Sequence, residues 1–218
     1  MHVAIIMNGN GEWAARQGLP SISCQDAGAA ALRTAVALAC DARISTLTLY
    51  ALCGPGSARP PHEIEADLAV LGCYLRTETD TWAARSIKVR IIADREWLLA
   101  TLPDVVAHDA ATAGAESGLM LRIVLDYSAH DRVTQAARGS TDEGALERFH
   151  QQLNEIDPTA VPANAVDLLI CVGGGHCSSD FMLWEVTYAV PRHFNCPWPE
   201  FKPYHFHDAL DHHAHLTK

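Results

Sequence analysis

Short apolar, β-branched runs alternate along the chain with longer segments of helical period. The runs Val3–Met7, Thr46–Leu52, Lys88–Ala93, Met120–Tyr127 and Asp167–Val172 predict strands. The segments Ala27–Ala42, Pro61–Ser86, Trp97–Ser117, Asp131–Arg138 and Phe181–Ala189 predict helices. That alternation predicts an α/β domain with a mostly parallel central sheet flanked by helices. Between the elements, "CGPGSARPP" at 53–61 reads as an irregular loop. Gly139–Ala165, small, polar and acidic with Pro158 and Pro162 near its end, reads as the least ordered connection. No internal repeat is visible.

In an open parallel sheet the ligand sits at the carboxyl ends of the strands. That rule gathers Asn8–Glu12, Cys53–Arg59 and Gly173–Ser179 around one candidate pocket. The first of these closes the stretch "HVAIIMNGNGEWA", a buried strand that runs into a glycine-punctuated turn and then a helix. The turn has the shape of an anion receptor, yet it carries an acid, Glu12.

Composition narrows the setting. With 49% hydrophobic residues in 218, the chain can bury one sizeable core but not two comfortable ones. A formal charge of -10 argues against a nucleic-acid or anionic-membrane partner held by bulk attraction. The apolar runs 87–92 and 166–172 fall far short of the roughly 20 residues that cross a bilayer. The first residues lack a basic segment followed by a long apolar one, so a soluble, cytoplasmic protein is expected. Seven cysteines without a C-x-x-C pair fit a reducing compartment, each by default a small core residue.

Four stretches together carry a resemblance: "HVAIIMNGNGEWA", then "LTLYA" with "ARPPHEIE", then "DLLICVGGGHCSSDFMLWEVTYA", then "WPEF". In order and spacing they resemble the cis-prenyltransferases, the undecaprenyl diphosphate synthase family, over nearly the whole chain. The resemblance implies a parallel sheet wrapped by helices, an apolar tunnel for a growing isoprenoid and, commonly, a homodimer. It covers 1–204, with 205–218 set apart as a His-rich C-terminal tail.

The departures from the family pattern share a direction. The family's D-G-N-G-R-W-A uses its Asp in Mg²⁺ and diphosphate chemistry and its Arg and backbone amides to hold an allylic diphosphate. Here Asn8 stands for that Asp and Glu12 for that Arg. In "CQDAG", Gln25 and Asp26 stand for a histidine and a basic residue. Cys171 and Cys177 replace the two arginines that grip isopentenyl diphosphate, and Gly175 replaces a glutamate. The glutamate that completes the Mg²⁺ site across the dimer falls on Val190, so the family's Mg²⁺ site reads as lost and no cofactor is assigned. Retained are Asn10, Gly11, Trp13, Gly28, Arg59, Glu63, Ser179 and the Trp and Tyr of "LWEVTYA", mostly residues that give shape.

Charge-assisted hydrogen bonds contribute roughly 1.5–3 kcal/mol each. Replacing several of them by thiols and acids argues against ordinary chain elongation. A carboxylic acid among apolar walls holds its proton and can act as a general acid; ionised, it can stabilise a carbocation or ammonium. The leading reading is therefore a repurposed enzyme acting on an isoprenoid-like or other hydrophobic small molecule by transfer or cyclisation. Its candidate catalytic residues are Glu12, Asp26 and His176; its candidate binding residues are Asn8, Gly9, Asn10, Gly11, Trp13, Arg59 and Ser179. The alternative is a non-catalytic member, a ligand-binding pseudoenzyme or partner subunit. In a bland reading Glu12 and Asp26 are solvated surface acids, with Asp26 an N-cap for the helix at Ala27.

Other motifs carry less. "YHFHDALDHHAHL" holds His205, His207, His212, His213 and His215 but lacks a structural-zinc spacing, and reads as a mobile terminus with adventitious metal affinity. "VGGGH" lacks the G-x-G-x-x-G pattern, and no G-x-S-x-G elbow supports a serine hydrolase. Cys177 as a nucleophile would need a lowered pKa.

Overall fold

In the computed structural model, residues 1–19, 24–51, 61–93, 118–125, 128–138, 145–156, 165–173 and 181–217 are described. They form one six-stranded sheet: β1 (His2–Met7), β2 (Thr46–Tyr50), β3 (Lys88–Ile92), β4 (Met120–Val124), β5 (Leu168–Val172) and β6 (Val190–Phe194). The strand order is β3-β4-β2-β1-β5-β6, and every neighbouring pair is parallel. The helices are α1 (Asn10–Arg16), α2 (Cys24–Asp41), α3 (Pro61–Ala84), α4 (Ala129–Ala137), α5 (Ala145–Ile156) and α6 (Pro203–Leu216).

The apolar run of β1 is continuous because the strand is buried on both faces. Val3, Ile5 and Met7 point into one layer, with Leu47, Leu49 and Ile123 of neighbouring strands. Against that layer α2 lays Ala31, Leu32, Ala35, Val36 and Ala39, and α3 lays Leu71, Tyr74, Leu75 and Trp82. Ala4 and Ile6 point the other way, into a smaller layer with Tyr50, Val124, Ala129, Phe181 and Met182. Among the described residues no helix is long and apolar enough to cross a membrane.

Three elements depart from expectation. β6 escapes a hydrophobic scan because Pro191, Arg192 and His193 interrupt it. It lies at the sheet edge, where a proline without an N–H is tolerated. Phe181–Ala189 is a series of turns, not a helix: Met182 takes a left-handed φ of 44°, and Thr187 turns its hydroxyl back onto the carbonyls of Leu183 and Trp184. Inside the supposedly least ordered 139–165, α5 forms with Phe149 buried; Leu146, Phe149, Leu153 and Ile156 recur at helical spacing. The expected helix Trp97–Ser117 lies outside the described residues.

The histidine-rich end is also corrected. α6 begins before residue 205 and packs against α2, β5 and β6, with Phe206 and Ala209 fully buried. His205 is buried too; its Nδ1 accepts from the Lys202 amide at 3.0 Å, and desolvation lowers its pKa against the opposing pull of Asp208. Among the described residues no group of three or more His, Cys, Asp or Glu is placed to hold a metal.

Candidate functional site

The carboxyl ends of β2, β1 and β5 lie side by side, and the described residues that leave β1 and β5, Asn8 and Gly173, meet there. Asn8 leaves β1 with its amide donating to the Val172 carbonyl of β5 at 3.1 Å. Gly9 follows at φ 93°, a left-handed conformation that side chains rarely adopt. A methyl group on Gly9 would stand 2.9 Å from the Cα of Pro197. Gly173, just past β5, has φ 97°, and a methyl there would stand 2.7 Å from Asn8 Cβ. Both turns are thus glycine turns because other backbone crowds them. Pro197 and Trp198 close the junction, the Trp198 amide donating to the Asn8 carbonyl at 2.9 Å.

α1 starts at Asn10, and Gly9 offers its N-terminus no side-chain cap. The Asn10 Oδ1 is buried with no hydrogen-bond partner among the described residues, packed toward Gly28 of α2. Gly11 is exposed with open space around it, and Trp13 is half-buried. Glu12 projects into solvent, where Arg16 Nη2 donates to its Oε1 at 2.5 Å one turn along the helix. Its surroundings are water and a guanidinium rather than apolar walls. The anion in the first turn offsets the partial positive charge of the helix start, and Arg16 balances it at i+4. Both side chains are more than half exposed (57% and 53%). Glu12→Gln or Arg16→Ala is therefore expected to change unfolding free energy by less than about 0.5 kcal/mol, read by urea denaturation.

Asp26 is exposed in the first turn of α2. Because α2 begins at Cys24, Asp26 lies inside the helix and does not cap it at Ala27, correcting that expectation. α1 and α2, which both start beside this junction, thus each carry a carboxylate in the first turn.

At the end of β5, Cys171 is disulfide-bonded, whereas Cys40, Cys73 and Cys196 are free thiols. The expectation of isolated core thiols is corrected at this position. A half-cystine supplies neither charge nor an N–H or O–H donor. Val190 opens β6, half-buried. The structure therefore brings Asn8, Gly9, Asn10 and Gly173 into one junction and sets Glu12 and Asp26 on the adjoining helix starts. Arg59, His176 and Ser179, like Cys177, lie outside the described residues.

Two participants were missed by sequence reasoning. The Glu12–Arg16 pair was available in the i, i+4 spacing of opposite charges. Trp198 was read only as part of "WPEF", without a site role: its indole Nε1 donates to the Gly28 carbonyl at 3.0 Å, across 170 residues of chain.

Comparison with known proteins agrees with this architecture. The family model described as "Putative undecaprenyl diphosphate synthase" matches residues 6–218. The chain is 34% identical over 210 residues to Isoprenyl transferase 1 of Bradyrhizobium diazoefficiens, across 96% of this chain and 85% of that protein. It is 31% identical over 217 residues to the ditrans,polycis-undecaprenyl-diphosphate synthase ((2E,6E)-farnesyl-diphosphate specific) of Escherichia coli, with the same coverage. Its fold superposes on lavandulyl diphosphate synthase from Lavandula x intermedia with a TM-score of 0.86 at 22% identity, covering 97% of this chain and 94% of that one. With a parallel sheet, glycine turns at its carboxyl edge and sequence matches along nearly its full length, the chain belongs to the cis-prenyltransferase family.

Proposed function

We propose that this chain is a repurposed member of its family, an enzyme that acts on an isoprenoid-like or other hydrophobic small molecule without Mg²⁺–diphosphate chain elongation. One observation carries the reading: the two helix starts beside the ligand turn bear Glu12 and Asp26, so their N-terminal partial charges already face carboxylates. A diphosphate approaching this turn would meet those anions, and Cys171 offers it no cation.

Mg²⁺ does not fit the residues that the family pattern puts at its site. It favours carboxylate oxygens and phosphates with retained waters. Asn8 offers a neutral amide, and the side chain of Val190 offers no donor atom.

In this reading the glycine turn, with Asn8, Gly9, Asn10, Gly11 and Trp13, receives the polar head of the substrate. The hydrocarbon tail would lie in the apolar tunnel that the family resemblance implies. Glu12 and Asp26, on the helix starts beside the turn, stabilise a developing carbocation or an ammonium, or accept from a hydroxyl. Arg59 and Ser179, by their motif positions, and His176, three residues before Ser179 in sequence, are the remaining candidates. Assembly with a second copy is part of the proposal. Leu183 (43% exposed), Trp184 (45%) and Tyr188 (90%) leave apolar surface beside the edge strand β6, and light scattering reads the oligomeric state. The same surface would serve a non-catalytic partner subunit.

The test is an elongation assay with farnesyl diphosphate, isopentenyl diphosphate and Mg²⁺, followed by chromatography of the products. No polyprenyl diphosphate longer than the starter is expected. Formation of longer products would overturn the proposal.

A further inference from the structure

We infer that Trp198 is a positioning residue for the ligand turn, a single side chain that fixes the start of α2 against the exit of β1. The inference rests on the reading that this turn is where ligand binds.

The segment "CPWPEF" is stiff before it packs: Pro197 and Pro199 flank the tryptophan. Trp198–Glu200 form a 3-10 turn in which the Phe201 amide donates to the Trp198 carbonyl at 2.9 Å. From this support Trp198 directs both of its N–H groups at the site. Its amide donates to the Asn8 carbonyl at 2.9 Å, and its indole Nε1 donates to the Gly28 carbonyl at 3.0 Å. Pro197 sits where a Gly9 methyl group would be, and a Gly28 methyl group would stand 3.5 Å from the Trp198 ring and 3.1 Å from Asn10 Oδ1. The two glycines that line the junction are thus fitted to the same segment.

A tryptophan that only filled the core would need apolar neighbours and one partner for its indole N–H. This one is 2% exposed, stacks on Phe201 at 5.2 Å, and joins two elements distant in sequence through two separate carbonyls. Gly28 lies one turn into α2, so its carbonyl is also the acceptor for the next helical turn; two lone pairs permit both bonds. Loosening the indole bond should therefore free the start of α2, with Asp26, from the turn that carries Asn8, Asn10 and Glu12. The rest of the sheet should stay intact.

The test compares Trp198→Phe, which keeps an aromatic stack and the backbone bond but deletes the indole donor, with Phe201→Leu, which weakens the same stack and keeps both hydrogen bonds. Amide hydrogen exchange is read peptide by peptide in the ligand-free protein, so the outcome does not depend on what the site binds. Trp198→Phe is expected to speed exchange at least tenfold in peptides covering 8–16 and 26–34, with those covering β3 and β4 unchanged, while Phe201→Leu shows no such local pattern. Uniform loosening by both variants, or no change at 26–34, would make Trp198 an ordinary core residue. If Trp198→Phe does not fold, the indole N–H of the unaltered protein is followed by NMR in sub-denaturing urea. Its exchange should track the amides of 26–34, and independent exchange would overturn the inference. Titration of the same variants with farnesol separates the two readings: unchanged affinity despite local loosening would retain the clamp and reject the turn as the ligand site.

Discussion

Reversing both acids, Glu12→Arg together with Asp26→Lys, is expected to raise affinity for farnesyl diphosphate roughly a hundredfold at low ionic strength. Each reversal replaces a repelling charge by an attracting one on the first turn of a helix whose N-terminus already favours anions. At the partly screened distances of an exposed site, about 1.4 kcal/mol per reversal is a modest demand. The guanidinium introduced at position 12 would face Arg16 at i+4, a like-charge pair that costs a few tenths of a kcal/mol in helix stability. Calorimetric titration reads the gain, and adding salt to about 0.5 M should remove most of it, since these groups lie in solvent. An unchanged affinity would show that charge at the two helix starts does not govern what the turn accepts.

The second large effect is on stability. Gly9→Ala and Gly173→Ala are each expected to cost about 3 kcal/mol or more, lowering the melting temperature by roughly 6–12 °C for a chain of this size. Both positions have φ above 90°, and in both the added methyl group would overlap backbone: Pro197 Cα at 2.9 Å in one case, Asn8 carbonyl atoms at 2.8 Å in the other. Gly11→Ala is the control. It lies three residues from Asn8 in the same motif, but in helical backbone with nothing within 4 Å of an added methyl group. There the substitution should be neutral or stabilise by up to about 1 kcal/mol. Thermal denaturation that ranked the three alike would contradict the crowding described at the junction.

How much of this was legible in the chain depends on the range of the interaction involved. β1, β2, β3, β4 and β5 announce themselves because buried parallel strands need continuous apolar runs, and such runs are local. β6 does not, because an edge strand is free to carry Pro191, Arg192 and a solvent-facing alternation. α6 hides behind its histidines: Phe206 and Ala209, with the partly buried Leu210, mark the buried stripe, and only the tertiary packing shows that His205 belongs inside.

The site divides along the same line. The glycine turns after β1 and β5 were visible, and so was the exchange of cations for Glu12 and Asp26. The partner of Glu12 was visible in principle, four residues along the helix. The closure by Pro197 and Trp198 was not, because nothing in local sequence says that residue 198 will reach the carbonyl of residue 28. Nor could spacing alone reveal that Cys171 is half of a disulfide.

The most direct measurement is calorimetric titration of the unaltered protein with farnesyl diphosphate and with farnesol, each with and without Mg²⁺. Farnesol should bind at least as tightly as the diphosphate, and Mg²⁺ should change neither affinity. Tight, Mg²⁺-dependent binding of the diphosphate alone would contradict a turn that has kept its shape and given up its phosphate.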